Sequence, residues 1–133
     1  MSRTYAGILL GALVLSFAVV AGGQPTTEAG GFSELHRAAV ADPTNSESVM
    51  GLIEREGEST TPKHYHPGGE FGFVLEGVVS VEAEGKQSTT LSAGDSFYQP
   101  PGEWHIISTG AAGAKTIVFR VLQKGQPMVV TVE

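Results

Sequence analysis

Lys63-His64-Tyr65-His66-Pro67-Gly68-Gly69-Glu70 places two of the chain's four histidines and a carboxylate within a few residues of one another. On a strand, side chains two apart point to the same side, so His64 and His66 project together, and Glu70 follows once the chain turns through Pro67-Gly68-Gly69. Imidazoles and a carboxylate gathered this way form the donor set of a metal site. A bare His-x-His also reads as a polar surface turn, so the weight of the stretch rests on what the rest of the chain sets beside it.

A second stretch, Gly94-Asp95-Ser96-Phe97-Tyr98-Gln99-Pro100-Pro101-Gly102-Glu103-Trp104-His105, brackets a short strand with two turns and delivers a third histidine. Around these two stretches, strand signals recur at short intervals. They run over Ser48–Glu56, Lys63–His66, Glu70–Glu76, Val78–Glu84, Gln87–Leu91, Ser96–Gln99, Trp104–Ser108, Thr116–Gln123 and Pro127–Val132, with breaks at Gly57 and Gly77. Asp42 to Ser46, Glu84-Gly85-Lys86 and Ala93-Gly94-Asp95 read as turns. Phe32 to Ala41 suits an arm strand better than the short helix that Ser33 would cap. Many short strands with glycine turns, in a chain of 133 residues with 18 glycines and 7 prolines, predict one all-β domain, a sandwich or a small barrel.

The strand faces differ. Val79, Val81 and Ala83 alternate with Ser80, Glu82 and Glu84, which gives that strand one wet face. In Glu70 to Leu75, by contrast, Gly72 and Val74 lie on one side and Phe71, Phe73 and Leu75 on the other, so both faces ask for cover. In a single-barrel domain the outer cover must come from the N-terminal arm or from a second subunit, and the expected assembly is a homodimer.

A formal charge of −6, with no run of basic residues, excludes an electrostatic footprint for nucleic acid or an anionic membrane. The absence of cysteine excludes disulfides, thiolate zinc sites and cysteine nucleophiles, so any metal must be held by histidine and carboxylate. At the N-terminus, Arg3 precedes an uncharged, mostly apolar stretch from Ala6 to Ala21 that ends in Val19-Val20-Ala21, which reads as a secretory signal peptide over residues 1–21 and places the mature protein outside the cytoplasm. An uncleaved anchor is the competing reading. Residues 22–31 are small and polar and read as a flexible linker, followed by the folded domain over 32–133.

Taken together, the two histidine stretches resemble the cupin superfamily. Its first motif, His-x-His, three or four residues, Glu, six residues, Gly, is matched by His64, His66, Glu70 and Gly77, with the leading glycine, Gly57, one residue early. Its second motif is matched in register by Gly94, Pro100, Gly102 and His105, with Thr109 where Asn is usual. The motifs and the strands between them span Gly57 to Thr109, about half of the mature chain. The resemblance implies a jelly-roll β-barrel (a double-stranded β-helix) with one divalent transition metal, Fe, Mn, Ni, Co, Cu or Zn, held by His64, His66, Glu70 and His105 at one end. Four such ligands leave coordination positions open, which suits catalysis better than a closed structural site. Glu70 has two roles open to it, anchoring the metal or taking a proton from substrate.

Met50, Val74, Phe97, Ile107, Thr109 and Val118 are candidate pocket walls, and Trp104 and Ile106 face away or toward the rim. Arg120 is expected on the solvated barrel exterior, with an anionic substrate group as the alternative partner, and His36 on the surface. Three functions fit: a secreted metal-binding protein that binds a small molecule and oxidises it with O₂, in the manner of a dioxygenase; a non-redox isomerase or lyase on a sugar or keto acid; and a non-catalytic module that binds a metal or ligand.

Overall fold

Nine strands and no helix are present among the residues that the structure, a computed structural model, describes: 27–28, 31–39 and 45–133. They are β1 (Thr27–Glu28), β2 (Phe32–Ala39), β3 (Ser46–Arg55), β4 (His64–Tyr65), β5 (Gly69–Ala83), β6 (Thr89–Ser92), β7 (Ser96–Gln99), β8 (His105–Gln123) and β9 (Val130–Thr131). The expected signal segment and most of the expected linker lie outside the described residues, as does the side chain of His36. Within the linker range, Thr27 and Glu28 pair with Ser33 and Phe32, so the sheet begins before Phe32.

All pairings are antiparallel, and the sheet curls into a jelly-roll barrel. Two strands, β5 with 15 residues and β8 with 19, are long enough to serve both of its walls. They pair with each other from Gly69↔Val121 to Ala83↔His105. The first part of β5 and the second part of β8 are flanked by β7 and β3, and the remaining parts by β6 and β4.

Serving two walls requires each long strand to exchange its inward and outward faces. In β5, Glu70, Gly72 and Val74 are buried, and after Gly77 the buried positions become Val79, Val81 and Ala83. In β8, His105 and Thr109 are buried, and after Gly113 the buried positions become Ala114, Thr116, Val118, Arg120 and Leu122. The ladder shifts register between Val74 and Glu76 and again between Gly77 and Val79, and an extra residue at a bulge is what exchanges the faces. Both glycines adopt positive φ, 78° at Gly77 and 76° at Gly113, and a Cβ at Gly77 would lie 2.0 Å from the Gly113 carbonyl oxygen.

This corrects the reading of Gly77 as a break, and of Trp104–Ser108 and Thr116–Gln123 as separate strands. A glycine that switches faces inside a ladder has the same local composition as a glycine that ends a strand.

The interior holds two apolar clusters, Phe32, Val49, Val118 and Leu122 in one and Val74, Val79 and Ala114 in the other. The opposite face is apolar as well. Met50, Phe119, Phe71 and Tyr98 are successive register partners across β3, β8, β5 and β7, and they are 40%, 39%, 54% and 50% exposed. Phe73 and Leu75 extend the row, and no described segment covers it. Met50 therefore lies outside the barrel, against the expectation that it lines a pocket, because the inward positions of β3 are Val49, Gly51 and Ile53.

Gly77→Ala should lower stability by more than the ~1–2 kcal/mol of left-handed backbone strain, since its methyl also strikes backbone. Gly85→Ala, at φ 65° with nothing within 4 Å of the new methyl, should cost the strain alone. Urea unfolding midpoints compare the two, and equal losses would remove Gly77 from the role of face switch.

Candidate metal centre

His64 on β4 is the register partner of His105 at the start of β8, and His66 follows β4 directly, so three imidazoles meet where β4 pairs with the start of β8. Ring centroids are 4.3 Å apart for His64 and His105, 5.2 Å for His64 and His66, and 5.1 Å for His66 and His105. All three are buried, and one ligand nitrogen from each lies within 4.8 Å of the others.

The backbone sets the tautomers. Nδ1 lies 2.7 Å from the Pro62 carbonyl oxygen in His64, 2.7 Å from that of Met128 in His66, and 3.2 Å from that of Glu103 in His105. A carbonyl only accepts, so each Nδ1 carries the proton and each Nε2 keeps a lone pair. Burial lowers the pKa of all three below the usual histidine value, to about 4 for His66, where loss of solvent outweighs the favourable charge of Glu70. At neutral pH the cluster is three neutral imidazoles with the correct nitrogen free. That donor chemistry fits a divalent transition metal, and backbone partners that orient ligating histidines are what such sites use.

Glu70 points inward from β5 and is buried. Its Oε2 lies 3.5 Å from His66 Nε2 and also accepts from Arg120 Nε. The carboxylate is thus beside His66 and already engaged by a cation, while the cluster whose ligand atoms all lie within 4.8 Å of one another consists of the three histidines without it. Arg120 is 8% exposed, with its guanidinium 5.2 Å from the centroid of the Phe32 ring. This overturns its expected place on the exterior, and the face exchange at Gly113 is the reason.

A cavity of about 40 Å³ adjoins the cluster. Of the expected wall residues, Phe97 and Ile107 line it, while Val74 and Val118 belong to the apolar clusters. The Thr109 hydroxyl is spent on the Glu56 carbonyl at 2.7 Å. Trp104 is half-buried and outside the cavity lining, with Lys63 Nζ 4.4 Å from its ring centroid. Missed from the sequence were Ile53, Arg55, Val79, Ala114 and Thr116. The alternation Val49, Gly51, Ile53, Arg55 carried the signal for two of them.

Residues 53–120, just over half of the chain, match the family described as "Cupin domain". No curated protein sequence gives a significant match. Among solved structures, the dimethylsulfoniopropionate (DMSP) lyase DddQ from Ruegeria pomeroyi superposes with a TM-score of 0.59 at 22% identity, over 64% of this chain and 43% of that one. Oxalate decarboxylase from Bacillus subtilis gives 0.58 at 19%, over 82% and 30%. An RmlC-like cupin from Shewanella frigidimarina gives 0.54 at 21%, over 86% and 95%. The chain thus spans less than half the length of the first two, and identities this low speak for the fold alone. The family match and the jelly roll with its histidine cluster agree: the chain belongs to the cupin domain family.

Proposed function

We propose that the protein is an exported cupin that holds one divalent transition metal on His64, His66 and His105, with Glu70 as the adjoining carboxylate, and binds a small molecule at the positions these side chains leave open. The observation that carries this reading is the locking of all three Nδ1 atoms onto backbone carbonyls, which leaves three Nε2 lone pairs on one another's side of a buried cluster. A surface histidine pair has no reason to be oriented this way. A redox-active metal held by these residues would supply the chemistry for oxidation of the bound molecule by O₂. Glu70 then anchors the site or receives a proton, and Arg120 holds its carboxylate in place.

The Glu70–Arg120 contact also favours a second reading, a lyase or isomerase in which Glu70 moves the proton and no O₂ is used. Among the structural neighbours are a lyase and a decarboxylase as well as an oxalate oxidase. Export rests on residues 1–21, and a homodimer rests on the exposed row from Met50 to Tyr98, which suits an isologous contact between two copies.

Protein expressed with its own N-terminus and purified without chelator or His tag should begin near Gly22 and contain about one transition-metal ion per chain. His105→Ala should retain the same N-terminus and lose most of the metal by elemental analysis. Wild-type metal content in that variant would sink the site, and O₂ uptake by the native metal form separates oxidation from the second reading.

The metal-free protein should weaken in acid. His66 takes up its proton near pH 6.5 when unfolded and only near pH 4 when folded. The unfolded state therefore binds more protons in that window, and stability falls as pH drops through it. At ~1.4 kcal/mol per factor of ten in proton affinity, the loss is on the order of 3 kcal/mol. Thermal midpoints of chelated His66→Gln should depend less on pH between 6.5 and 4 than those of wild type; identical slopes would contradict the assignment.

Light scattering should give a particle of about twice the chain mass. Phe71→Glu should halve it, and a monomeric wild type would rule out the dimer.

A further inference from the structure

Arg55 is the cation in the cavity that the metal site does not use. It ends β3 on the same inward face as Val49, Gly51 and Ile53, and its side chain lines the cavity together with His64, His66, His105, Glu70 and Arg120. Arg120 is matched by Glu70, but no ion pair joins Arg55 to a carboxylate among the described residues. The cavity lining thus holds two guanidinium groups, Arg55 and Arg120, against one carboxylate, Glu70. Burial also works against the charged form of Arg55, with Glu70 the one carboxylate that counters it and Arg120 opposing. A half-buried cation in this position lacks a partner that an anion would supply.

Resting on the metal reading above, we propose that Arg55 is the anion-binding residue of the cavity and that the natural ligand is a short-chain carboxylate, one carboxylate group of which pairs with the Arg55 guanidinium. Guanidinium presents two parallel N–H groups that match the two carboxylate oxygens, which lysine does not. The cavity of about 40 Å³ has room for on the order of three water-sized atoms, so the enclosed part of the ligand is a carboxylate and little more. Arg55 and Ala114 also line an open groove of about 400 Å³, so the two spaces share lining residues. At the edge of this groove Lys115 Nζ lies 3.4 Å from Glu54 and 3.5 Å from Glu76, which offsets part of the acidic charge there.

The test is calorimetric titration of the metal-loaded protein with acetate, glycolate and oxalate, and with acetamide and oxamide as uncharged counterparts of similar shape. The carboxylates should bind and the amides should bind at least tenfold more weakly. Arg55→Gln should lose at least tenfold in carboxylate affinity while keeping its metal content, and Arg55→Lys should recover only part of it. Equal binding of acids and amides, or unchanged affinity in Arg55→Gln, would overturn the proposal. The same titration on chelated protein separates the two readings: metal that never binds refutes the metal site, whereas residual carboxylate binding that Arg55→Gln abolishes still supports the role of Arg55.

Discussion

The two long strands of this barrel each have to present one set of side chains inward over half their length and the opposite set over the other half, and the placement of the site depends on that exchange. Without it, the inward phase that buries His105 would turn Arg120 outward, and the phase that buries Val79 and Val81 would expose Glu70. Period-two alternation cannot satisfy both ends of an unbroken strand. Gly77 and Gly113 resolve the conflict where β5 and β8 run side by side, with positive φ and with backbone so close that neither tolerates a side chain. A feature that looks like a defect in the ladder is what brings the histidines and the Glu70–Arg120 pair to one cavity.

Much of the arrangement was legible in the residues. His64, His66 and His105 were identified from their spacing, and the structure brings all three together because the His64↔His105 pairing is set by the same turns that the glycines and prolines mark. The alternation Val79, Val81, Ala83 named its buried face correctly, and the doubly apolar strand from Glu70 to Leu75 foretold an exposed apolar row. What could not be read was phase. Where a glycine lies inside a strand, composition does not say whether the chain stops, turns or changes face, and Arg120 was put on the wrong side for that reason. Arg55 was missed for a different one: a charged residue ending a strand between Glu54 and Glu56 looks like part of a solvated edge, although the alternation Val49, Gly51, Ile53 already sets its phase inward.

The buried Glu70–Arg120 pair is poorly explained as a device for stability. Two charges taken from water recover in mutual attraction about what they lose in solvation, and apolar side chains of similar volume would serve the core as well or better. Its position accounts for it more directly. Arg120 lies against Phe32, in the same cluster as Val49 and Val118, so the guanidinium is held by the core and in turn holds the carboxylate next to His66. A carboxylate has two oxygens, and the engagement of Oε2 by Arg120 leaves the group able to offer the other as a ligand or a proton acceptor.

The same accounting explains why the histidines are built as they are. Each is kept neutral by burial, and each uses a backbone carbonyl, not a carboxylate, to fix its tautomer. Carboxylates in those positions would add three negative charges around the cluster, raise the imidazole pKa values and offset the charges of Arg55 and Arg120. Carbonyl partners orient the rings without contributing net charge. The cavity therefore keeps two guanidinium groups against the one carboxylate of Glu70, with Arg55 and the three histidines all on its lining.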